Sequence, residues 1–469
     1  MRGAQLLGLG GLLLVLASPG PAAAETLADA LRDAYLGNPR LDAERARLRA
    51  TDELVPQALA GWRPLLRATG GYTVLHRTED DKFRRNGDRE TNRDSDVLYQ
   101  VDGRLLAQQP LYSGGETVAG TRRAESQVRA ARARLSDVEQ SVLFDTIGAY
   151  VDVVRARNVL RLSEENLARL ERYRAGTEER FKVAEVTRTD LAQADSSVAG
   201  AQADLARARS ELEAALAAFE RVVGRPPGAL APIGAAPDLP TSLAAAEAEV
   251  ANHPRVRQAT FELEAARDQV RVDEAQLLPD LNLVGELSRR SQPSFDLQSL
   301  TDASIGAELV IPLYQRGSEY SRVRQAKQTA VQRRYDLTDA ERAVRREIVT
   351  AFEALRAASE QIQALEAQVK AAADALDGVR EEAIVGARTV QDVLDAEQVL
   401  FAAQLRRERA LGEEIEASYR LRAAVGRLTL ADLAVDAPRY DPEANYREVR
   451  DRWFGLGSDG DWAAPPPPP

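Results

Sequence analysis

Residues 348–395 read IVTAFEALRAASEQIQALEAQVKAAADALDGVREEAIVGARTVQDVLD. Ile348, Ala351, Leu355, Ala358, Ile362, Leu365, Val369, Ala372, Leu376 and Val379 follow one another at alternating steps of three and four. That is an unbroken heptad seam and predicts a coiled-coil helix. The stretch then enters Val385-Gly386-Ala387-Arg388-Thr389. There a glycine permits a tight reversal and a threonine can cap the helix that follows. A second helix, from Val390 to about residue 425, is therefore predicted to fold back on the first. On it Asp392 and Asp395 lie three residues apart, so both carboxylates leave one face a turn from the tip.

The same unit occurs twice. Pro110-Leu111-Tyr112 matches Pro312-Leu313-Tyr314, Gly115 matches Gly317, Asp190 matches Asp392, and Gly224-Arg225 matches Gly426-Arg427, each pair 202 residues apart. Upstream, Pro39 matches Pro254 and Pro64 matches Pro279 at an offset of 215. A constant spacing held this long indicates tandem copies of one structural unit. The expected organisation is a first repeat over residues 25–226, a proline-rich connector over 227–241, a second repeat over 242–428, and a segment 429–469 ending in Pro465 to Pro469. The part of that segment after Leu433 is expected to be extended or disordered, since it offers little apolar material for a core.

Within the first repeat, Leu66, Ala68, Gly70, Tyr72 and Val74 alternate with polar neighbours, as do Val97, Tyr99, Val101, Gly103 and Leu105. These predict strands over about 65–77 and 96–109, joined by a long charged loop. Each is about the length that a tilted strand needs to cross a bilayer. The second repeat supplies strands over about 280–290 and 303–313. Between Ser113 and Pro226 there is no proline, and Val128, Ala131, Leu135, Val138 and Val142 form another heptad seam. A helical hairpin is thus expected over 116–223 with its tip near 184–188, and its counterpart over 317–425 with its tip near 386–389. A helix of some 65 residues is about 100 Å long, more than a compact domain accommodates. Four strands are too few to close a barrel and an open sheet leaves edges exposed, so the strands call for oligomerisation.

Composition narrows the function. Arg2, the apolar run Leu6 to Leu16 and Ala22-Ala23-Ala24 have the form of a secretory signal over residues 1–24. No later stretch has the 18 or so apolar residues of a spanning helix. Cysteine is absent, which excludes disulfides, thiolate metal sites, cysteine nucleophiles and a lipidated N-terminal cysteine. The formal net charge is −11, one unit more negative without Arg2, and argues against nucleic acid as a partner. His76 and His253 are isolated in the sequence and make neither a metal site nor a triad. No catalytic residue, metal ligand or cofactor is assigned, and an enzyme is not expected.

The order of these features resembles the TolC-type outer-membrane factor family over almost the whole chain after the signal. Two tip segments carry most of the likeness: Arg180-Phe181-Lys182-Val183-Ala184-Glu185-Val186-Thr187-Arg188-Thr189-Asp190-Leu191, and Val385-Gly386-Ala387-Arg388-Thr389-Val390-Gln391-Asp392-Val393-Leu394-Asp395-Ala396. The run Val55-Pro56-Gln57-Ala58-Leu59-Ala60-Gly61-Trp62-Arg63-Pro64 is similar to the branch associated with type I secretion. The resemblance implies a mainly α protein with a membrane β-barrel: a homotrimer whose strands form one twelve-stranded barrel in the outer membrane, continued into the periplasm by a helical tube. It implies a passive exit duct for protein secretion or drug efflux that docks to a periplasmic adaptor and an inner-membrane transporter, ABC-type or proton-driven.

For individual residues, the resemblance implies that Asp392 and Asp395 ring the narrow periplasmic entrance. It also implies that Arg388 ties the inner coiled coil to the outer one through Thr189 and Asp190. The tips, Val183, Ala184, Glu185 and Val186 with Val385, Gly386, Ala387 and Thr389, would meet the adaptor. Pro110, Tyr112 and Gly115, with Pro312, Tyr314 and Gly317, would form the junctions between barrel and helices. Tyr112, Tyr314 and Trp62 stand beside strand ends, where amphipathic rings suit a membrane interface or pack at the junction. Two positions depart from the family. Ala184 stands where glycine is common, which predicts a differently shaped first tip, and Ala383 stands where members carry a tyrosine that helps hold the entrance closed. Without the resemblance, Asp392 and Asp395 read as solvated carboxylates and Arg388 as a surface arginine. A secreted or periplasmic coiled-coil scaffold with a small sheet is the alternative.

Overall fold

The computed structural model describes residues 24–85, 88–293 and 297–457. The expected signal therefore lies outside the described residues except for Ala24, as does the terminal proline run. Three short helices open the chain: α1 (Leu27–Gly37), α2 (Pro39–Asp52) and α3 (Leu54–Leu59). Strands β1 (Leu65–Arg85) and β2 (Asp88–Ser113) follow, then α4 (Glu116–Lys182) and α5 (Arg188–Val223). The second half runs α6 (Leu243–Glu247), α7 (Pro254–Ala275), β3 (Asp280–Ser291), β4 (Ser299–Val310), α8 (Ser318–Ile384) and α9 (Val390–Ala424), with α10 (Ala444–Val449) near the end. Both long helices, α4 and α8, have 67 residues.

Each long helix begins after a glycine in the left-handed region, Gly115 at φ +87° and Gly317 at φ +82°. Each returning helix begins at a threonine with a complete capping box. Identical punctuation at the same spacing therefore produces the duplicated hairpin.

The four strands form one antiparallel sheet in the order β1-β2-β3-β4, so the two repeats join at β2–β3. Register carries the apolar positions across it: Ala68 opposite Leu105, Leu105 opposite Leu287, Leu287 opposite Ala303. The next row runs Leu66, Ala107, Gly285 and Ile305. Leu66, Tyr72, Val74, Tyr99, Val101, Leu105, Leu287 and Ile305 are exposed. The other face is mixed, with polar residues among its leucines and Arg104 bonded to Glu286 at 3.0 Å. β1 and β4 have one neighbour each, and their outer edges are unpaired among the described residues.

Three expectations are corrected by the fold. The charged loop between the first two strands is itself strand: β1 and β2 stay in register from Leu65 opposite Gln108 to Arg85 opposite Asp88. Backbone ladder bonds do not depend on side-chain polarity, and Asn86-Gly87 at the centre is the strongest short-range signal for a two-residue hairpin turn. The expected 303–313 strand is displaced toward the N-terminus, to Ser299–Val310, and β3 reaches Ser291.

The segment after Leu433 is also more ordered than its composition suggests. Val435, with Leu428 and Leu430 just before the segment, is buried among Leu31, Tyr35, Leu41 and Leu48 of α1 and α2 and Leu143, Ile147 and Val151 of α4, and Val449 of α10 is buried as well. The guanidinium of Arg422, almost fully buried, donates to the carbonyls of Pro237, Arg427 and Asp432. Connector, α9 and C-terminal segment are thereby fastened to one another. Elsewhere the core is a set of narrow seams along the hairpins, such as Ile362, Leu365 and Ala410, and Ala372, Leu376 and Leu400. No described helix is long and apolar enough to cross a membrane.

Candidate functional site: the tips of the helical hairpins

The residues singled out by sequence gather at two places, the hairpin tips and the sheet-to-helix junctions. At the first tip, α4 stops at Lys182 and Ala184 takes φ +63°. Ala184 N donates to Phe181 O at 3.0 Å and Glu185 N to Arg180 O at 2.9 Å. At the second, Gly386 takes φ +80°, Gly386 N donates to Ala383 O at 3.2 Å and Ala387 N to Glu382 O at 2.9 Å. The expectation of a differently shaped first turn is thus overturned. The two turns share one hydrogen-bond pattern, and Ala184 bears the left-handed conformation that glycine adopts without steric cost.

The returning helices start identically. Thr187 donates from its backbone N and its hydroxyl to Asp190 Oδ2, both at 2.8 Å. Thr389 does the same to Asp392 Oδ2, both at 2.8 Å. These bonds hold the Asp392 carboxyl below the ordinary carboxylate value, the Thr389 backbone N–H contributing most. Asp392 therefore has a structural duty in common with Asp190, the capping of a helix. Asp395, which has no acidic counterpart in the first hairpin, is exposed and accepts from Gln391 Nε2 at 2.7 Å.

Arg388 does not meet Thr189 or Asp190 within the chain. Its Nε donates to Glu382 Oε2 at 2.7 Å, closing its own turn, and Glu382 raises the arginine's already high pKa. The reason is proximity. Glu382 lies one helical turn away across the tip, whereas one oxygen of Asp190 is already engaged by Thr187.

The tie between hairpins is made further in from the tips, by residues that sequence reading passed over. Glu397 on α9 is almost fully buried, its side chain 3% exposed. It accepts from Arg169 Nε of α4 at 3.3 Å and from Arg380 Nη2 of α8. Beside it Leu170, Ala201, Val390 and Leu394 form an apolar cluster that draws in Tyr173 and Val186, so that α4, α5 and α9 meet. The signal for Glu397 was an acidic residue on the buried side of a heptad helix, which requires partners.

Apolar side chains stand exposed at both tips: Val183 on the first, Ile384 and Val385 on the second. Ile384 is a further residue that the sequence reading did not single out. At the junctions, Pro110 lies at a register shift of β2 against β3, and Tyr112 remains within β2 opposite Leu281. Pro312 and Tyr314 lie between β4 and α8, and both tyrosines are exposed.

A sheet with an exposed apolar face, set at one end of helical hairpins far longer than any compact domain, defines a class of protein: a membrane channel built partly of strands and extended by a helical tube. The comparisons agree. The family model described as "Outer membrane efflux protein" matches residues 30–225 and 246–427, and the chain belongs to that family. It is 36% identical over 438 residues, 93% of this chain and 92% of the relative, to the outer membrane efflux protein BepC of Brucella suis biovar 1 (strain 1330). It is 28% identical to the alkaline protease secretion protein AprF of Pseudomonas aeruginosa, over 76% of this chain and 75% of AprF. Among solved structures it matches a chain of the channel protein CusC with a TM-score of 0.76 at 17% identity, over 86% of this chain and 92% of that one. The protein is thus an outer-membrane channel of the efflux and secretion type.

Proposed function

We propose that three copies of this chain close one twelve-stranded barrel and that the hairpins continue it as a tube whose tips form the periplasmic entrance. The observation that carries this is the four-stranded sheet with one face apolar and both outer edges unpaired. In lipid such edges must find partners, and β1 of one copy against β4 of the next supplies them. A soluble scaffold gives no account of the apolar face.

The duct is passive. Its tips dock to a periplasmic adaptor through Val183, Ala184, Glu185 and Val186 and through Val385, Gly386, Ala387 and Thr389, joined by exposed Ile384. An inner-membrane transporter, ABC-type or proton-driven, completes the assembly. Export of protein by a type I route is the reading favoured here, supported by the likeness to a protein named for alkaline protease secretion and by the run Val55 to Pro64. The leader is removed after about Ala24.

At the entrance, Asp392 and Asp395 from three copies form the constriction. Arg388, Thr189 and Asp190 are gate residues whose mutual contacts lie between copies, and within each copy Glu397 clamps the second hairpin to the first. The test is mass measurement in detergent together with planar-bilayer recording. Three chains per particle and discrete conductance steps are expected, and a single-chain particle without conductance would defeat the reading.

A further inference from the structure

The chain does not stop where the tube wall is complete. After α9 it turns back along α1 and α2 and climbs to the sheet. Tyr440 N donates to Tyr35 Oη at 3.1 Å, and the Arg45 guanidinium lies over the rings of both Tyr35 and Tyr440, at 4.6 and 5.3 Å. Higher up, Asn445 Nδ2 donates to Asp52 Oδ2 at 2.8 Å, at the last residue of α2. Tyr446 packs on Val55, Ala124 and Val128, and Val449 is buried. Arg63 Nη1 then donates to Arg452 O at 2.8 Å, and the Arg63 guanidinium sits 5.1 Å from the centre of the Trp453 ring. Arg63 is two residues before the first residue of β1.

The segment thus ends at the rim where sheet gives way to helices, and there its character changes. Trp453 is 56% exposed, Phe454 86% and Leu456 fully exposed. The Trp453 and Phe454 rings stand 6.3 Å apart as a tilted pair. Trp62, Leu111, Tyr112, Leu313 and Tyr314 are exposed at the same rim. A strap held by hydrogen bonds and cation–π contacts along its rise has no folding reason to end in a presented aromatic pair. At the edge of an apolar sheet face, however, tryptophan beside arginine suits the headgroup layer, which accepts an apolar ring and a cation together.

We infer that residues 452–456 are an interfacial anchor that seats Trp453 and Phe454 in the headgroup region of the periplasmic leaflet, tying the C-terminal strap to the lipid beside the barrel. This rests on reading the sheet as part of a membrane barrel. Continuity of the aromatic pair with the sheet's apolar rim favours lipid as the occupant over a neighbouring copy of the chain.

The sequence holds three tryptophans, Trp62, Trp453 and Trp462, so Trp62→Phe with Trp462→Phe leaves Trp453 as the sole fluorophore. The full-length protein is reconstituted into phosphatidylcholine vesicles whose acyl chains carry bromine either just below the glycerol or near the chain ends. Trp453 emission should be quenched at least twofold by the shallow bromines and much less by the deep ones. Quenching by aqueous iodide without quenching by either lipid would overturn the anchor, and so would shielding from iodide and both lipids, the sign of a neighbouring copy. Since the chain lacks cysteine, Phe454→Cys carrying a polarity-sensitive dye gives a second measurement, a blue shift on reconstitution; no shift counts equally against the inference. Bilayer recording on the same preparation separates the two readings, because loss of conductance strikes at the channel and not at the anchor.

Discussion

Glu397 shows how much one residue at the tip can decide. Its carboxylate is buried and needs its cationic partners, and the two that it has come from different hairpins. Arg169 reaches it from the first hairpin and Arg380 from its own. Arg169→Ala and Glu397→Gln should therefore free α9 from α4 and raise single-channel conductance. Arg380→Ala should do so far less, because Arg380 and Glu397 belong to one hairpin, and Arg388→Ser less than Arg169→Ala, because within the copy Arg388 is bonded to Glu382 of its own turn and only its contacts between copies bear on the gate. Equal conductance in all four variants would show that the tie to α4 does not hold the entrance. Ala184 offers a milder test. An L-residue in the left-handed region costs about 1 kcal/mol that glycine does not. Ala184→Gly should slow exchange of the Glu185 amide, which donates to Arg180 O, by roughly fivefold. Faster exchange would contradict the argument.

At the scale of elements, the hairpins were legible because they are written in periodicity and punctuation. The heptad seam from Ile348 to Val379, the left-handed glycines at 115 and 317 and the threonine caps at 187 and 389 are all local chemistry. What a single segment does not contain was less legible. The length of the β1–β2 hairpin depended on backbone pairing outweighing a charged composition. The path of the C-terminal strap depended on partners hundreds of residues away, as when Asn445 meets Asp52. The site divides in the same way. The caps at Asp190 and Asp392 were signalled by a threonine three residues before each, whereas the Arg169–Glu397 bond joins positions 228 residues apart. The tip turn gives a prediction at this scale. A Cβ on Gly386 would meet nothing within 4 Å, so the penalty for Gly386→Val is backbone strain at φ +80° and not a clash. The strain belongs to the turn, far from the sheet. Trimers and bilayer conductance should survive while export fails; normal export would remove this tip from the adaptor contact.

For the whole molecule, charge at the mouth of the tube should govern what passes. The chain's formal net charge is −11, but the entrance matters more than the total, because low-dielectric walls around a narrow mouth focus the field of the groups that line it. Three copies of Asp392 and Asp395 would set six carboxylates there, favouring cations and inviting block by trivalent ones. The two aspartates are not equivalent probes. One oxygen of Asp392 holds the first turn of α9 through Thr389, so its truncation to alanine would fray the helix as well as remove a charge. Asp392→Asn keeps an acceptor for the cap, and Asp395→Asn changes only an exposed group bonded to Gln391. Asp395→Asn alone should lower the cation-to-anion permeability ratio in planar bilayers and weaken trivalent-cation block while leaving trimer stability unchanged. The double Asn variant should lower both further without loss of the trimer. If both variants keep wild-type selectivity and block, the constriction lies elsewhere along the tube and the carboxylates at this end serve only to cap and solvate the helix.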